Sequence, residues 1–270
     1  MFSAVVKIGL TAILVVSLVI PQSKSLPSAA ETPFSPIMEL TPAQLTLELR
    51  PSQDLDPIDA GFEPQAAPEA TKVDCSKLAC IALTFDDGPD QNTNRILDSL
   101  AKRGAKATFF AVGTQVRANP DIAQRIVAEG HEIAVHSYSH RRLTRLGNEE
   151  LAMDFAKARK LVVMATGVEP SLFRPPYGVH SPRVRAAAGL PTVMWSVDPQ
   201  DWRTRSSKQT VARVLQAAEP GSIVVLHDPL ISTVNAIPVL LAELGERGYH
   251  FVTVSDLVDN MQPGEIYRRG

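Results

Sequence analysis

Neither sign of charge is in excess in this chain: 27 Lys and Arg stand against 29 Asp and Glu, a net charge of −2 over 270 residues. Interspersed and nearly balanced, these charges give nucleic acid no electrostatic footprint, so DNA and RNA are excluded as partners. Cysteine is scarce as well. Cys75 and Cys80 are the only two, and a zinc site built on this pair alone would lack two ligands. The chain has no internal repeat and no glycine-rich phosphate fingerprint. Only one long apolar run is present, Ile8 to Ile20 after Lys7. It fits the apolar region of a signal peptide and is short for a spanning helix, although Phe2 to Val6 lengthen it.

Two readings of residues 1–30 follow, a cleaved signal peptide or a retained membrane anchor. Ser28-Ala29-Ala30 and Ser23-Lys24-Ser25 are the candidate cleavage positions. Both readings take the chain out of the cytoplasm, to the cell envelope, periplasm or extracellular space. In that oxidising setting Cys75 and Cys80 can close a small loop at the start of the folded domain, the alternative being two buried free thiols. Residues 31–74 shift to Pro, Ala, Glu, Gln and Ser and read as a linker; only Met38 to Leu49 has enough Leu for a short element. The folded domain is expected over 75–270.

From Cys80 onward, short apolar runs alternate with helical periodicity. The runs predict strands at Ile81–Phe85, Ala107–Val112, Glu132–Val135, Leu172–Phe173, Thr192–Val197, Ile223–Leu226 and Phe251–Val254. Helices are predicted at Asn92–Arg103, Asp121–Glu129, Asn148–Thr166, Pro182–Ala188, Lys208–Ala218 and Val234–Arg247. Such alternation implies a mainly parallel sheet with helices outside. Asp86 and Asp87 follow the first strand, His136 the third, Arg174 the fourth, Asp198 and Asp201 the fifth, and His227 the sixth. Reactive side chains after so many strands converge if the strands close into a ring, whereas an open sheet spreads them along an edge. A distorted (β/α) barrel with about seven parallel strands is therefore expected.

Two runs carry the chemistry. Thr84-Phe85-Asp86-Asp87-Gly88-Pro89 and His136-Ser137-Tyr138-Ser139-His140 offer one Asp and two His to a divalent metal, with a second Asp beside the first for proton transfer. The spacing of His136 and His140 suits one side of a helical turn. Two His and one carboxylate also match the iron site of oxygenases, but an oxygenase needs no adjacent free carboxylate, so metal-assisted hydrolysis is favoured. A zinc protease would carry Glu directly after the first His, and none is there. His131, His180 and His250 fit no site and read as structural or exposed.

With Arg174-Pro175-Pro176-Tyr177-Gly178, Asp198-Pro199-Gln200-Asp201-Trp202 and Val225-Leu226-His227-Asp228, these runs resemble, in order, the five motifs of the NodB-homology polysaccharide deacetylases, carbohydrate esterase family four. The resemblance runs from about Cys75 to Tyr267. It implies a distorted barrel and removal of acetyl groups from N-acetylglucosamine polymers or, in some members, from O-acetylated sugars. It also implies that Asp87, His136 and His140 are the metal ligands, Asp86 the general base, and Asp201 the partner of His227. His227 is then the acid that protonates the departing amine. Arg174 is assigned to orienting Asp86, with Asp201 or Asp198 as alternative partners and Lys106 assisting. Tyr177 is expected to present its backbone N–H to the developing oxyanion. Tyr138, Trp202 and Leu226 are placed in the substrate groove, and Val225 stands where the family usually has a Leu that encloses the acetyl methyl. The cofactor expected is zinc, with cobalt, nickel or manganese as alternatives. The substrate expected is peptidoglycan, with chitin or chitooligosaccharide and acetylated xylan as alternatives, acted on by a monomer. A non-catalytic glycan-binding protein is the reading from another class.

Overall fold

The computed structural model describes residues 73–270; the expected export segment and all but the last two residues of the linker lie outside them. Strand β1 (Cys80–Asp86) is central, with β5 (Ser222–His227) along one side and β2 (Thr108–Ala111) then β3 (Glu132–Val135) along the other, all parallel. Past β3 the ladder thins to single bridges: Val135 to Phe173, Phe173 to Thr192, and Val197 to Val224 of β5. The parallel pairs thus lead back to β1 without continuous ladders, as a distorted barrel. Strand β4 is only Thr192–Val193, and it pairs with β7 (Ile266–Tyr267) near the C-terminus. β6 (His250–Phe251) pairs with the first two residues of β1. Lys106 donates its N–H to the Phe251 carbonyl, so β6 wedges β1 and β2 apart at their N-terminal ends.

Alternation along β1 sorts its side chains into two layers. Ile81, Leu83 and Phe85 face an outer core that they share with Phe109, Val224 and Leu226 and with Ile96, Leu97, Ile126, Val214 and Leu240 of the surrounding helices. Cys80 and Ala82 face an inner core with Phe110, Ala134, Val193 and Ile223. The inward series continues through Thr84 to Asp86, so the register that buries the strand also delivers a carboxylate to the barrel mouth. A third cluster, around Val135, Phe155, Phe173 and Val184, seals the side where the ladder is weakest.

The outer layer contains α1 (Gln91–Ala101), α3 (Pro120–Ala128), α4 (Asn148–Thr166), α5 (Pro182–Ala188), α7 (Ser207–Ala217) and α8 (Ile231–Glu246). Helix α1 starts where the Asp90 carboxylate accepts the Asn92 and Thr93 N–H groups, and it buries Thr93, Ile96, Leu97 and Leu100, one helical stripe. Three short helices depart from expectation: α2 (Gly113–Ala118), α6 (Asp201–Thr204) and α9 (Val254–Leu257). Each is too short to show a period. The strand predicted to run to Val254 stops at Phe251, and the Thr253 hydroxyl accepts the Asp256 N–H to start α9. Cys75 and Cys80 are disulfide-bonded, with Cα atoms 5.5 Å apart, at the entrance to β1.

Candidate active site

Strand register assembles the site. Asp86 is the direct neighbour of His227 across the β1–β5 ladder, and the bridge between Val135 and Phe173 puts their successors, His136 and Arg174, side by side. The Arg174 guanidinium is fully buried and lies 4.0 Å from the centre of the Phe110 ring. Four of its five N–H donors are used: Nη1 bonds Asp86 Oδ1 and Thr84 Oγ1, each at 2.7 Å, Nε bonds the Val193 carbonyl at 3.0 Å, and Nη2 the Met194 carbonyl at 2.9 Å. A guanidinium fixed at four points holds Asp86 in one orientation. Of the partners considered for Arg174, Asp86 is the one in contact. Lys106 takes no part, since its ammonium bonds the Glu129 carbonyl below the barrel.

Asp87 sits one residue beyond the strand at φ +80°, which turns its carboxylate away from that of Asp86. Its Oδ1 is 3.1 Å from His140 Nε2 and 3.5 Å from His136 Nε2, yet it is buried without a hydrogen-bond partner. One ligand atom from each of the three lies within 4.8 Å of the others. His136 Nδ1 is 2.8 Å from the Arg174 carbonyl. A carbonyl can only accept, so Nδ1 carries the proton and the Nε2 lone pair faces Asp87. Burial pushes the His136 imidazole below its ordinary pKa despite the Asp86 and Asp87 charges, which keeps it neutral as a ligand must be. An orphaned carboxylate oxygen facing two imidazoles fits a divalent cation.

The two histidines do not share a helical turn. The chain leaves β3 in an irregular loop with Ser137 and His140 at φ +69° and +56°. Its backbone is held from both sides: Gly113 N–H to the Ser137 carbonyl, Thr114 N–H to the Tyr138 carbonyl, and Tyr138 N–H to Asp154 Oδ1 of α4 at 2.7 Å. The Ser137 hydroxyl accepts the His140 N–H. The close approach at Gly113 leaves only 3.3 Å between an added Cβ and the Tyr138 Cα, which explains glycine there.

Opposite the metal-ligand set, Asp201 is fully buried and grips His227 twice, through the imidazole Nδ1 and the backbone N–H, each at 2.8 Å, while Thr233 donates to the same carboxylate. Burial alone works against a protonated His227, but the hydrogen bond and charge of Asp201, helped by Asp86 and Asp87, push it up to about 9. Burial would raise Asp201 too, and the same His227 and Thr233 contacts hold it below the usual carboxylate range. Asp228 is buried with its Oδ1 unpaired, and burial beside Asp90, Asp87 and Asp86 pushes it up to about 8.

Asp86, Asp87, His136, His140 and His227 line a pocket of about 400 Å³ with Tyr177, Gly178, Trp195, Asp198, Trp202 and Val225. Tyr177 is exposed at φ +61°, its ring edge-on to His140 at 4.6 Å. Gly178 and Val179 make the turn's own hydrogen bonds, which leaves the Tyr177 N–H outside them. Trp202 is exposed at the rim. Two groove assignments need correction. Leu226 is fully buried in the outer core, because strand alternation turns Val225 and His227 to the pocket and Leu226 away. Tyr138 lines a separate, smaller pocket with Arg141, Asp154 and Lys157 on the far side of the histidine loop. Thr84, Trp195, Thr233 and Asp154 escaped the sequence reading. Asp154 alone left a signal, a carboxylate among the buried positions Leu151, Phe155, Ala158 and Val162 of one helix face.

Residues 74–192 match the family described as polysaccharide deacetylase. A peptidoglycan-N-acetylglucosamine deacetylase of Bacillus cereus is 40% identical over 187 residues, 66% of this chain and 87% of its own length. The peptidoglycan-N-acetylglucosamine deacetylase PgdA of Listeria monocytogenes is 39% identical over 202 residues, 74% of this chain. The matched part is 43% of that relative, so the chain spans less than half its length. Among solved structures, a chain described as T48 deacetylase with substrate superposes with a TM-score of 0.71 at 39% identity, covering 72% of this chain and 99% of that one.

Proposed function

The chain belongs to the polysaccharide deacetylase family, and from that premise we propose that it is a metal-dependent hydrolase removing N-acetyl groups from N-acetylglucosamine residues of peptidoglycan in the cell envelope. One observation carries the reading: the buried, unpartnered Asp87 Oδ1 between the Nε2 atoms of His136 and His140. When bound there, a divalent cation supplies Lewis acidity towards water and the acetyl oxygen. Two imidazoles and a carboxylate make zinc the first candidate, with cobalt, nickel or manganese able to use the same donors.

The remaining steps belong to the chain's own side chains. Asp86, held by Arg174, takes the proton of the attacking water, and its fixed position lowers the entropic cost of that transfer. The Tyr177 N–H faces the acetyl oxygen as negative charge develops there. His227, charged at neutral pH through Asp201, then protonates the leaving amine, without which an amide does not break. Trp195 and Val225 give the acetyl methyl an apolar floor, and exposed Trp202 offers a stacking plane for a sugar ring. The peptidoglycan assignment is supported by the named activities of the Bacillus and Listeria relatives. The test is acetate release by zinc-loaded protein from peptidoglycan, chitooligosaccharide and acetylated xylan, each repeated after chelation. Chelator-sensitive release, highest on peptidoglycan, is expected. Preference for another polymer would overturn the substrate, and no release from any of the three would overturn the hydrolase.

A further inference from the structure

The residue after the candidate acid, Asp228, is buried at the end of β5 and has no role in the chemistry above. Its surroundings give it another. Its N–H donates to the Asp86 carbonyl at 3.2 Å, and its Oδ2 accepts the Thr93 hydroxyl at 2.6 Å. The Thr93 hydroxyl in turn accepts the Asp90 N–H at 2.9 Å. Between those two ties runs the loop Asp87-Gly88-Pro89-Asp90, and the Asp228 carboxyl is packed directly on Gly88. A Cβ built on Gly88 would fall 1.9 Å from Asp228 Oδ2 and 2.5 Å from Cγ and Oδ1. Gly88 is therefore required for space, to admit a carboxyl from a different motif. The same loop is anchored outside by Val112 N–H on the Gly88 carbonyl and by Asn119 on the Pro89 carbonyl.

We propose that Asp228 is a positioning residue for the metal-binding loop: packed on Gly88 and tied through Thr93 to Asp90, it fixes the path of residues 87–90 and hence the aim of the Asp87 carboxylate at His136 and His140. The inference rests on reading Asp87 as a metal ligand. It makes Gly88, Thr93 and Asp228 one unit, although Gly88 comes from the first motif, Thr93 from α1 and Asp228 from the last motif. A group that orients a ligand is worth about tenfold or more in metal affinity.

Zinc affinity of the full-length protein, measured by isothermal titration, tests this without relying on turnover. Asp228→Ala is expected to weaken zinc binding about tenfold and to lower kcat on zinc-saturated protein while KM stays within about twofold, the pattern of a misplaced reacting group. Thr93→Val, which breaks the tie without touching the pocket, should move zinc affinity in the same direction. Gly88→Ala should lose zinc binding, and Gly88→Ala with Asp228→Ala should recover part of it, because the second change removes the colliding carboxyl. Thermal melts of the metal-free variants control for folding. Wild-type zinc affinity in both Asp228→Ala and Thr93→Val, or a double variant no better than Gly88→Ala alone, overturns the proposal. Absence of acetate release by the wild type would count against the hydrolase instead, and zinc titration would still decide the role of Asp228.

Discussion

Asp86 and Asp87 are neighbours in the chain with different surroundings, and the difference predicts how their substitutions separate. Asp86 is in the strand, tied to Arg174; Asp87 is past it, at positive φ, with its Oδ1 facing the imidazoles of His136 and His140. Asp86→Asn should keep bound zinc at wild-type stoichiometry while kcat falls by about 10²- to 10⁴-fold, the range for losing a general base. His140→Ala should instead lose zinc, as elemental analysis would show; metal loss in Asp86→Asn would exchange the two roles. A second prediction concerns His227. With its pKa pushed up to about 9, the acid form persists through neutrality, so activity falls only as pH rises past about 9. Asp201→Asn removes the largest group holding that proton, and the alkaline limb of the kcat profile should move towards lower pH. An unmoved limb would sink the pairing as the source of acidity. The carboxylates and imidazoles were legible in the sequence because few other uses explain them in that spacing. Val225 against Leu226 was not, since a one-residue shift of face leaves composition unchanged and only the pairing of Asp86 with His227 decides it.

Among the elements, those that bury a full stripe or a full strand were legible, and those held only by neighbours were not. Asn148–Thr166 and Pro182–Ala188 lie where periodicity and the following glycines place them. Thr192–Val197, by contrast, reads as one strand yet pairs at Thr192 with Phe173 on one side and at Val197 with Val224 on the other. Its two ends serve different neighbours, each through a single bridge. The histidine loop is the element whose support matters most for function, because no helical hydrogen bonds set the distance between His136 and His140. The bond from Tyr138 N–H to Asp154 does part of that work from α4. Asp154→Ala should therefore weaken zinc binding about tenfold, while Asp154→Asn, which retains an acceptor, should stay near wild type. If both variants bind zinc equally well, the loop holds its shape through α2 alone.

At the scale of the whole molecule, two buried histidines with opposite shifts act on the stability of the metal-free fold in different pH intervals. His131 lies at the base of the barrel, where its Nδ1 accepts the Ala107 N–H, and burial, with Lys106 and Arg125 nearby, lowers it to about 4. The unfolded chain takes up this proton near pH 6.5 and the folded chain does not. Stability from His131 is thus present above about 6.5 and is lost as pH falls towards 4, by up to about 3 kcal/mol. His227 runs the other way. Its folded pKa of about 9 lies above the unfolded value, so its contribution is complete below about 6.5 and disappears as pH rises through 9, with a similar upper bound of about 3 kcal/mol. Buried Asp228, pushed up to about 8, also contributes stability that is complete below its ordinary 3.8 and is lost as pH rises towards 8, opposing His131 on the acid side. The histidines are therefore read from the difference between variant and unsubstituted urea midpoints of metal-free protein from about pH 4 to 10. His131→Gln should alter the pH dependence between about 4 and 6.5 and Asp201→Asn that between about 6.5 and 9, each leaving the other interval in place, since the two residues sit at opposite ends of the barrel. If either substitution leaves the pH dependence in its own interval unchanged, or one substitution alters both intervals, these histidines do not act as assigned.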